Sequence, residues 1–234
     1  MALTGLAALS EISKSQTQPK GDFEKSVWMK LGDGESAKFR FLQEIDGDSK
    51  YAREDKGLVK VIMEHSEPGN FRAKMQCSMD IEGKCYGCEQ HKLDPKAGWK
   101  ARPRLYAAVL VSNDDDSAEV QIMSQGVGAK SITPALLEYA QESGAITNRK
   151  WKITRNGVET ATSYTLMAFD PKPDGFDDFD QYEVPDLEKV CTRTIPYEEQ
   201  PAFFNGGAVK PNDGASSSGW ENEGKKADSP LMGW

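Results

Sequence analysis

Apolar positions in this chain recur mostly with a period of two and in short runs, which predicts half-buried strands rather than helices. In the run 36–42, Phe39 and Phe41 fall on one side while Lys38 and Arg40 fall on the other. Residues 27–31 predict a strand before it, joined through Gly32-Asp33-Gly34, and residues 59–63 predict a short apolar strand after it. Between them, positions 44–56 turn polar and form a loop that exposes Tyr51 and Arg53. Residues 105–111 are apolar on both faces, the pattern of a central strand. The turn Asn113-Asp114-Asp115-Asp116 returns that strand through positions 118–123 as a hairpin.

The period changes to that of a helix after Thr133, where Leu136, Leu137 and Ala140 share a face. Thr133 is its predicted cap, Pro134 its first residue and Gly144 its end, and it is the one helix predicted for the body. Residues 150–155, Asn156-Gly157 and residues 160–169 then predict a hairpin, because Asn-Gly suits a two-residue turn with positive φ. Trp151 and Ile153 take one face of it, and Lys150, Lys152 and Thr154 the other. Short strands with one helix between two hairpins predict a mainly β fold with minor α. A small Greek-key barrel of the OB type suits this order better than the alternative, a β-sandwich.

One stretch does not fit that scheme. His65, Cys77, Cys85 and Cys88 lie among turn formers, Glu67-Pro68-Gly69-Asn70 and Glu82-Gly83-Lys84, with no sign of a helix or strand able to bury a core. Cys85-Tyr86-Gly87-Cys88 folds two thiolates toward one ion, and Cys77 with one further donor completes a zinc tetrahedron. Spacing favours His65 as that donor, since His91 lies one turn after Cys88 and would crowd the ion; Cys191 is the remote candidate. The competing expectations are buried reduced thiols, disfavoured by the charged neighbours Lys74, Asp80, Glu82, Lys84 and Glu89, and a redox pair, which lacks the strand-to-helix context. With protein filling all four positions, the predicted zinc is structural.

Charge changes the picture because of where it sits. The net charge is −8, but residues 28–167 carry 20 basic and 20 acidic side chains, and residues 168–234 carry 6 against 14. The body is therefore neutral, and within it Lys92, Lys96, Lys100, Arg102 and Arg104 face only Asp94, while Arg149, Lys150, Lys152 and Arg155 have no acid among them. Basic runs interleaved with aromatics suit a groove that tracks a single strand. The residues expected to line it are Lys38, Arg40, Arg53, Lys100, Arg102, Arg104, Lys150, Lys152 and Arg155, with Tyr51, Trp99, Tyr106, Trp151 and Tyr164 stacking on bases. Each of these has a plainer reading as core or as solvated surface. Asp170, Asp174, Asp177, Asp178 and Asp180, interspersed with Phe176, Phe179 and Tyr182, are expected either to compete for the groove or merely to solubilise the chain.

Length allows one ordinary domain with tails: an arm over 1–25, a core over 26–169 with a zinc insertion at about 63–92, and an acidic linker and disordered tail over 170–234. Three cysteines assigned to metal leave no disulfide framework, and the first ten residues lack a basic start, so a cytoplasmic protein is expected. An enzyme is not expected, because two histidines supply no Ser-His-Asp or HExxH arrangement and no Walker-type phosphate loop is present. The rival to strand binding is a zinc-ribbon protein-interaction module in transcription or replication.

The order His65, Cys77, Cys85-Tyr86-Gly87-Cys88, preceded by 37–42 and followed by 104–111, resembles the single-stranded DNA-binding, helix-destabilising proteins of T-even-type bacteriophages. The segment 151–157 is similar to final-hairpin sequences of related phage proteins, so the resemblance covers roughly 27–169. It implies an OB-fold with an inserted zinc subdomain and His65 as fourth ligand. It also implies DNA coating without sequence preference in phage replication, recombination and repair, in the cytoplasm of the infected host. Two features depart from the family: Lys14, Lys20 and Lys25 are scattered where a compact basic cluster is usual, and the tip is apolar. That tip, with Leu231, Met232 and Trp234, looks like the recruiting peptide of bacterial single-strand binding proteins, implying replication and recombination partners.

Overall fold

Residues 28–112, 117–191 and 193–206 are described by the computed structural model. Seven strands form one antiparallel sheet: β1 (Ser36–Phe41), β2 (Lys60–Glu67), β3 (Asn70–Gln76), β4 (Arg102–Ser112), β5 (Ala118–Gly126), β6 (Lys150–Asn156) and β7 (Ser163–Phe169). The α-helices among the described residues are α1 (Met79–Glu82), α2 (Tyr86–Leu93), α3 (Thr133–Ser143), α4 (Leu187–Cys191) and α5 (Gln200–Phe204).

The strand order is β3-β2-β4-β1-β6-β7, with β5 paired to β4 off this path, and the sheet is not closed. β4 is the hub, as its unbroken apolar run predicts. Its first half pairs with β2 (Val61 opposite Leu105), its second half with β1 (Phe39 opposite Val111), and its length with β5. Because side chains alternate across a strand, Leu105, Ala107, Val109 and Val111 face one side with Phe39, Phe41, Trp151 and Ile153, where Leu136 of α3 and Ile146 complete the main core. Tyr106, Ala108 and Leu110 face the other side, against Leu42, Phe179, Ile62 and Leu187.

Several local expectations change. Of the strand expected over 27–31, the described residues 28–31 form none: Trp28 makes a single parallel bridge to Ile122. The 60–76 region is a strand hairpin and 86–93 a helix, so the metal stretch has regular structure and α3 is not the body's one helix. In α3, Thr133 is the first helical residue and its hydroxyl donates to the Gly126 carbonyl instead of capping. Leu136 is buried whereas Leu137 is 42% exposed. Gly144 does end the helix, at φ 69°. The β6–β7 connection is no two-residue turn: Asn156 pairs with Ser163 across a loop containing a 3-10 turn, Glu159–Ala161. Asp33 accepts the Gly157 N–H at 2.6 Å, so a tertiary contact from far along the chain sets this loop.

The segment after Phe169, expected as linker and tail, packs on the body as far as Gly206. Phe179, Leu187, Ile195, Phe203 and Phe204 are buried. They supply the apolar surface that crosses the second sheet face and roofs the 60–99 lobe. The arm, the 113–116 turn and the tip with Leu231, Met232 and Trp234 lie outside the described residues. Among the described residues no helix is long and apolar enough to cross a membrane.

Candidate metal centre and basic sheet face

The β2–β3 hairpin presents its two faces to different tasks. His65 stands opposite Met75 and turns with it toward α2, while Ser66 stands opposite Lys74 on the other face. Beyond β3, the Cys77 N–H donates to the Met63 carbonyl at 2.7 Å, which folds the cysteine back over the hairpin. Cys85 occupies the position before α2, and Cys88 lies in the helix's first turn. The four donor atoms of His65, Cys77, Cys85 and Cys88 all lie within 4.8 Å of one another. Cys77 Sγ and Cys88 Sγ are 3.5 Å apart, and Cys88 Sγ is 3.3 Å from His65 Nε2. Tetrahedral bonds of about 2.3 Å put neighbouring sulfurs about 3.8 Å apart, so the cluster has the dimensions to hold one metal ion.

The surroundings fix the donors. His65 Nδ1 bonds the Trp99 carbonyl at 2.6 Å, which leaves Nε2 for the cluster. Gly87 lies against the His65 ring, where a Cβ would come within 2.5 Å of Cγ. Ser78 donates to the Lys84 carbonyl, and fully buried Gln200 donates to Ser78 Oγ and to the Ile195 carbonyl while accepting the Tyr86 N–H. Gln200 was not legible as a site residue, since it lies more than a hundred positions from the ligands it braces. His91 lies outside the cluster with its Nδ1 buried and without a hydrogen bond. Cys191 packs elsewhere, beside Ile62 and Leu187, its thiol pushed up to about 12 by burial and then by Glu64.

Protonation within the cluster is uneven. Burial works against a Cys85 thiolate, but the His65 imidazole and the N–H groups of Cys88 and Ser78 outweigh it and bring the thiol down to about 6. Burial and then the Cys77 hydrogen bond and the Cys85 charge push Cys88 up to about 12, and burial raises Cys77. For His65, burial favours the neutral ring, but the Cys85 bond and the Trp99 carbonyl raise its pKa overall. A metal must displace the protons of Cys77 and Cys88 and take His65 neutral, so uptake releases protons. Apparent affinity is expected to rise by at least about tenfold per pH unit between roughly pH 6 and 9, measured by chelator competition. An affinity independent of pH contradicts this proton balance.

The predicted groove residues fall into three groups. Trp151 is 0% exposed, donates Nε1–H to the Ile146 carbonyl and packs on Phe41 and Tyr139; Tyr106 is buried with its hydroxyl on Glu64. Neither offers a ring face to a base. Trp99 packs edge-on against Tyr86 and Phe204, and Tyr164 packs on the main core. Tyr51 remains half-buried, its hydroxyl on the Pro173 carbonyl.

A second group lies under the acidic segment. Arg40, expected to be exposed, is only 6% so, because Asp178 holds it at 2.8 Å through both oxygens and Phe176 lies 4.1 Å from its guanidinium. Arg53 pairs with Asp180 and Lys150 with Asp170, and Lys60, outside the predicted set, pairs with Glu188. Lys38 and Lys152 stand opposite each other on β1 and β6, on this same face. Arg155 has moved out of the group, donating to the Leu31 carbonyl at 2.7 Å.

The third group flanks the metal lobe. By register, Glu64, Arg102, Arg104 and Tyr106 share a face, and Lys74 lies on the adjoining strand. Burial and then the Arg104 charge lower the Lys74 pKa, with Glu64 only partly offsetting them. Lys100 is exposed just before β4. Lys74 is the cation that sequence reasoning missed; the alternation Ala73-Lys74-Met75 was its signal.

Comparison with protein-family models, with curated proteins and with solved structures finds no match to this chain.

Proposed function

We propose that this protein binds single-stranded DNA without base preference and that a structural zinc ion holds the lobe bordering its binding face. The observation that carries the proposal is the cation group Lys74, Arg102 and Arg104, which the strand register puts on one face beside the metal lobe; burial and then the Arg104 charge lower the Lys74 pKa, and Glu64, whose carboxylate also takes the Tyr106 hydroxyl, offsets them only in part. Such a group lowers its energy by neutralising phosphates and releasing their counterions. Three sulfurs and one imidazole nitrogen are a donor set suited to zinc, and a full protein shell suits a structural role. An OB-type arrangement is part of the same proposal; its support is the way β4 serves β1, β2 and β5 while α3 fills the core between β5 and β6. A role in phage DNA replication, recombination and repair rests on the resemblance of the ligand order.

The test is fluorescence anisotropy of a labelled oligo-dT across a salt series. Replacing Lys74, Arg102 and Arg104 by Gln is expected to flatten the slope of log K against log salt by about 2, since each single-strand phosphate contact contributes about 0.7. Binding with an unchanged slope moves the interface elsewhere, and no binding to any oligonucleotide ends the proposal. The second reading, a protein-interaction module, is favoured by apolar exposure on the metal lobe: Ile81 is 58% and Leu93 77% exposed.

A further inference from the structure

A cavity of about 190 Å³ opens where the loop after β1 meets the acidic segment. An engineered apolar cavity of about 150 Å³ accommodates benzene, so this one has room for a single six-membered ring with substituents and not for a drug-sized ligand. Tyr51, Phe176 and Phe179 are the aromatic residues that line it. The Tyr51 hydroxyl is fixed on the Pro173 carbonyl and Phe176 is covered by the Arg40 guanidinium, so both rings are held in place.

The wall also contains a carboxylate, that of Glu44, which is 2% exposed. Its Oε1 accepts the Thr147 N–H at 2.9 Å and the Thr147 hydroxyl at 2.5 Å, and both oxygens share the Ile146 N–H at 3.1 Å. Oε2 therefore receives only a shared donor, and a carboxylate oxygen can accept two. Lys50 at the rim places its ammonium 4.7 Å from the Tyr51 ring centroid, where it can meet an anion attached to whatever the rings hold.

We propose that this cavity is a nucleotide pocket that takes one aminopyrimidine of the cytosine type, its ring against the Tyr51 and Phe176 side chains, its exocyclic amine donating to Glu44 Oε2 and its phosphate on Lys50. That the ligand is a nucleotide and not another small aromatic amine rests on the strand-binding reading. Thymine carries a carbonyl where cytosine carries the amine, and an acceptor facing Glu44 Oε2 repels it. The pocket thus adds one base-reading position to a surface whose other contacts are indifferent to sequence.

The test is an amide NMR titration of the full chain with dCMP, dTMP and inorganic phosphate, run beside oligo-dT anisotropy. Saturable dCMP shifts at the Tyr51 and Thr147 amides are expected, with dTMP at least fivefold weaker and phosphate without effect on Thr147. Glu44→Gln keeps an oxygen for Thr147 and turns the other position into a donor, so the preference is expected to invert toward dTMP. Should that variant not fold, Phe176→Ala, shown folded by circular dichroism, is expected to lose at least fivefold in dCMP affinity. Equal dCMP and dTMP affinities in the native chain, or the same shifts with phosphate alone, overturn the pocket. Oligo-dT binding without a dCMP site leaves strand binding standing, whereas dCMP binding without oligo-dT binding leaves the pocket and removes that reading.

Discussion

Replacing Gly87 by Ala is expected to cost the protein most of its metal affinity while leaving all four ligands in place. The added Cβ would lie 2.5 Å from His65 Cγ and 2.7 Å from Nδ1, far inside contact distance. The imidazole cannot simply retreat, since its Nδ1 is held on the Trp99 carbonyl and its ring is almost wholly buried. Either that bond breaks or Nε2 leaves the cluster. Disturbing a ligand's support lowers metal affinity by about 10- to 100-fold, and displacing the ligand itself goes further. Chelator competition on the native and Gly87→Ala proteins measures this; equal affinities remove His65 from the site.

Metal removal carries the larger structural effect. Structural zinc contributes about 10 kcal/mol or more to the folding of small zinc modules. Here the lobe that holds the His65, Cys77, Cys85 and Cys88 cluster also seats residues 195–204, because Met75, Tyr86 and Trp99 pack with Ile195, Phe203 and Phe204. Chelation is therefore expected to expose both 60–99 and 193–206 to protease, two stretches distant in sequence. Cleavage confined to the first would separate the C-terminal roof from the metal.

Trp151→Ala is the second substitution of large expected effect. An indole with no exposed surface, packed on Phe41 and Tyr139, leaves a cavity costing about 3–5 kcal/mol, and the Ile146 carbonyl loses its donor. A denaturant midpoint shift of that size, reversed in large part by Trp151→Phe, identifies a core residue. A variant with native stability and lost oligonucleotide binding would instead restore Trp151 to the stacking surface.

What was legible in the sequence is what depends on neighbours. The alternation around Phe39 and Phe41, the two-faced run of β4, Gly144 at the helix end and the close spacing of Cys85 and Cys88 are local patterns, and the structure has an element or a cluster at each. What was misread depends on partners far along the chain. Arg40 reads as a surface cation until Asp178, 138 positions later, closes on it. Asn156-Gly157 reads as a tight turn until Asp33 takes the Gly157 N–H. Trp151 reads as a stacking ring beside Lys150 and Lys152 because period two says which residues share a face, not which face is covered. The acidic composition of 170–188 hid Phe179 and Leu187, which composition alone counts as part of a solvated tail.

The roof over the metal lobe has a consequence for biosynthesis. Phe203 and Phe204 leave the ribosome about a hundred residues after the last of the lobe's own segments, and translation adds about 5–20 residues per second. For on the order of ten seconds the nascent thiols stand without their hydrophobic lid. Ion capture at that stage would steady a half-built module until α5 arrives.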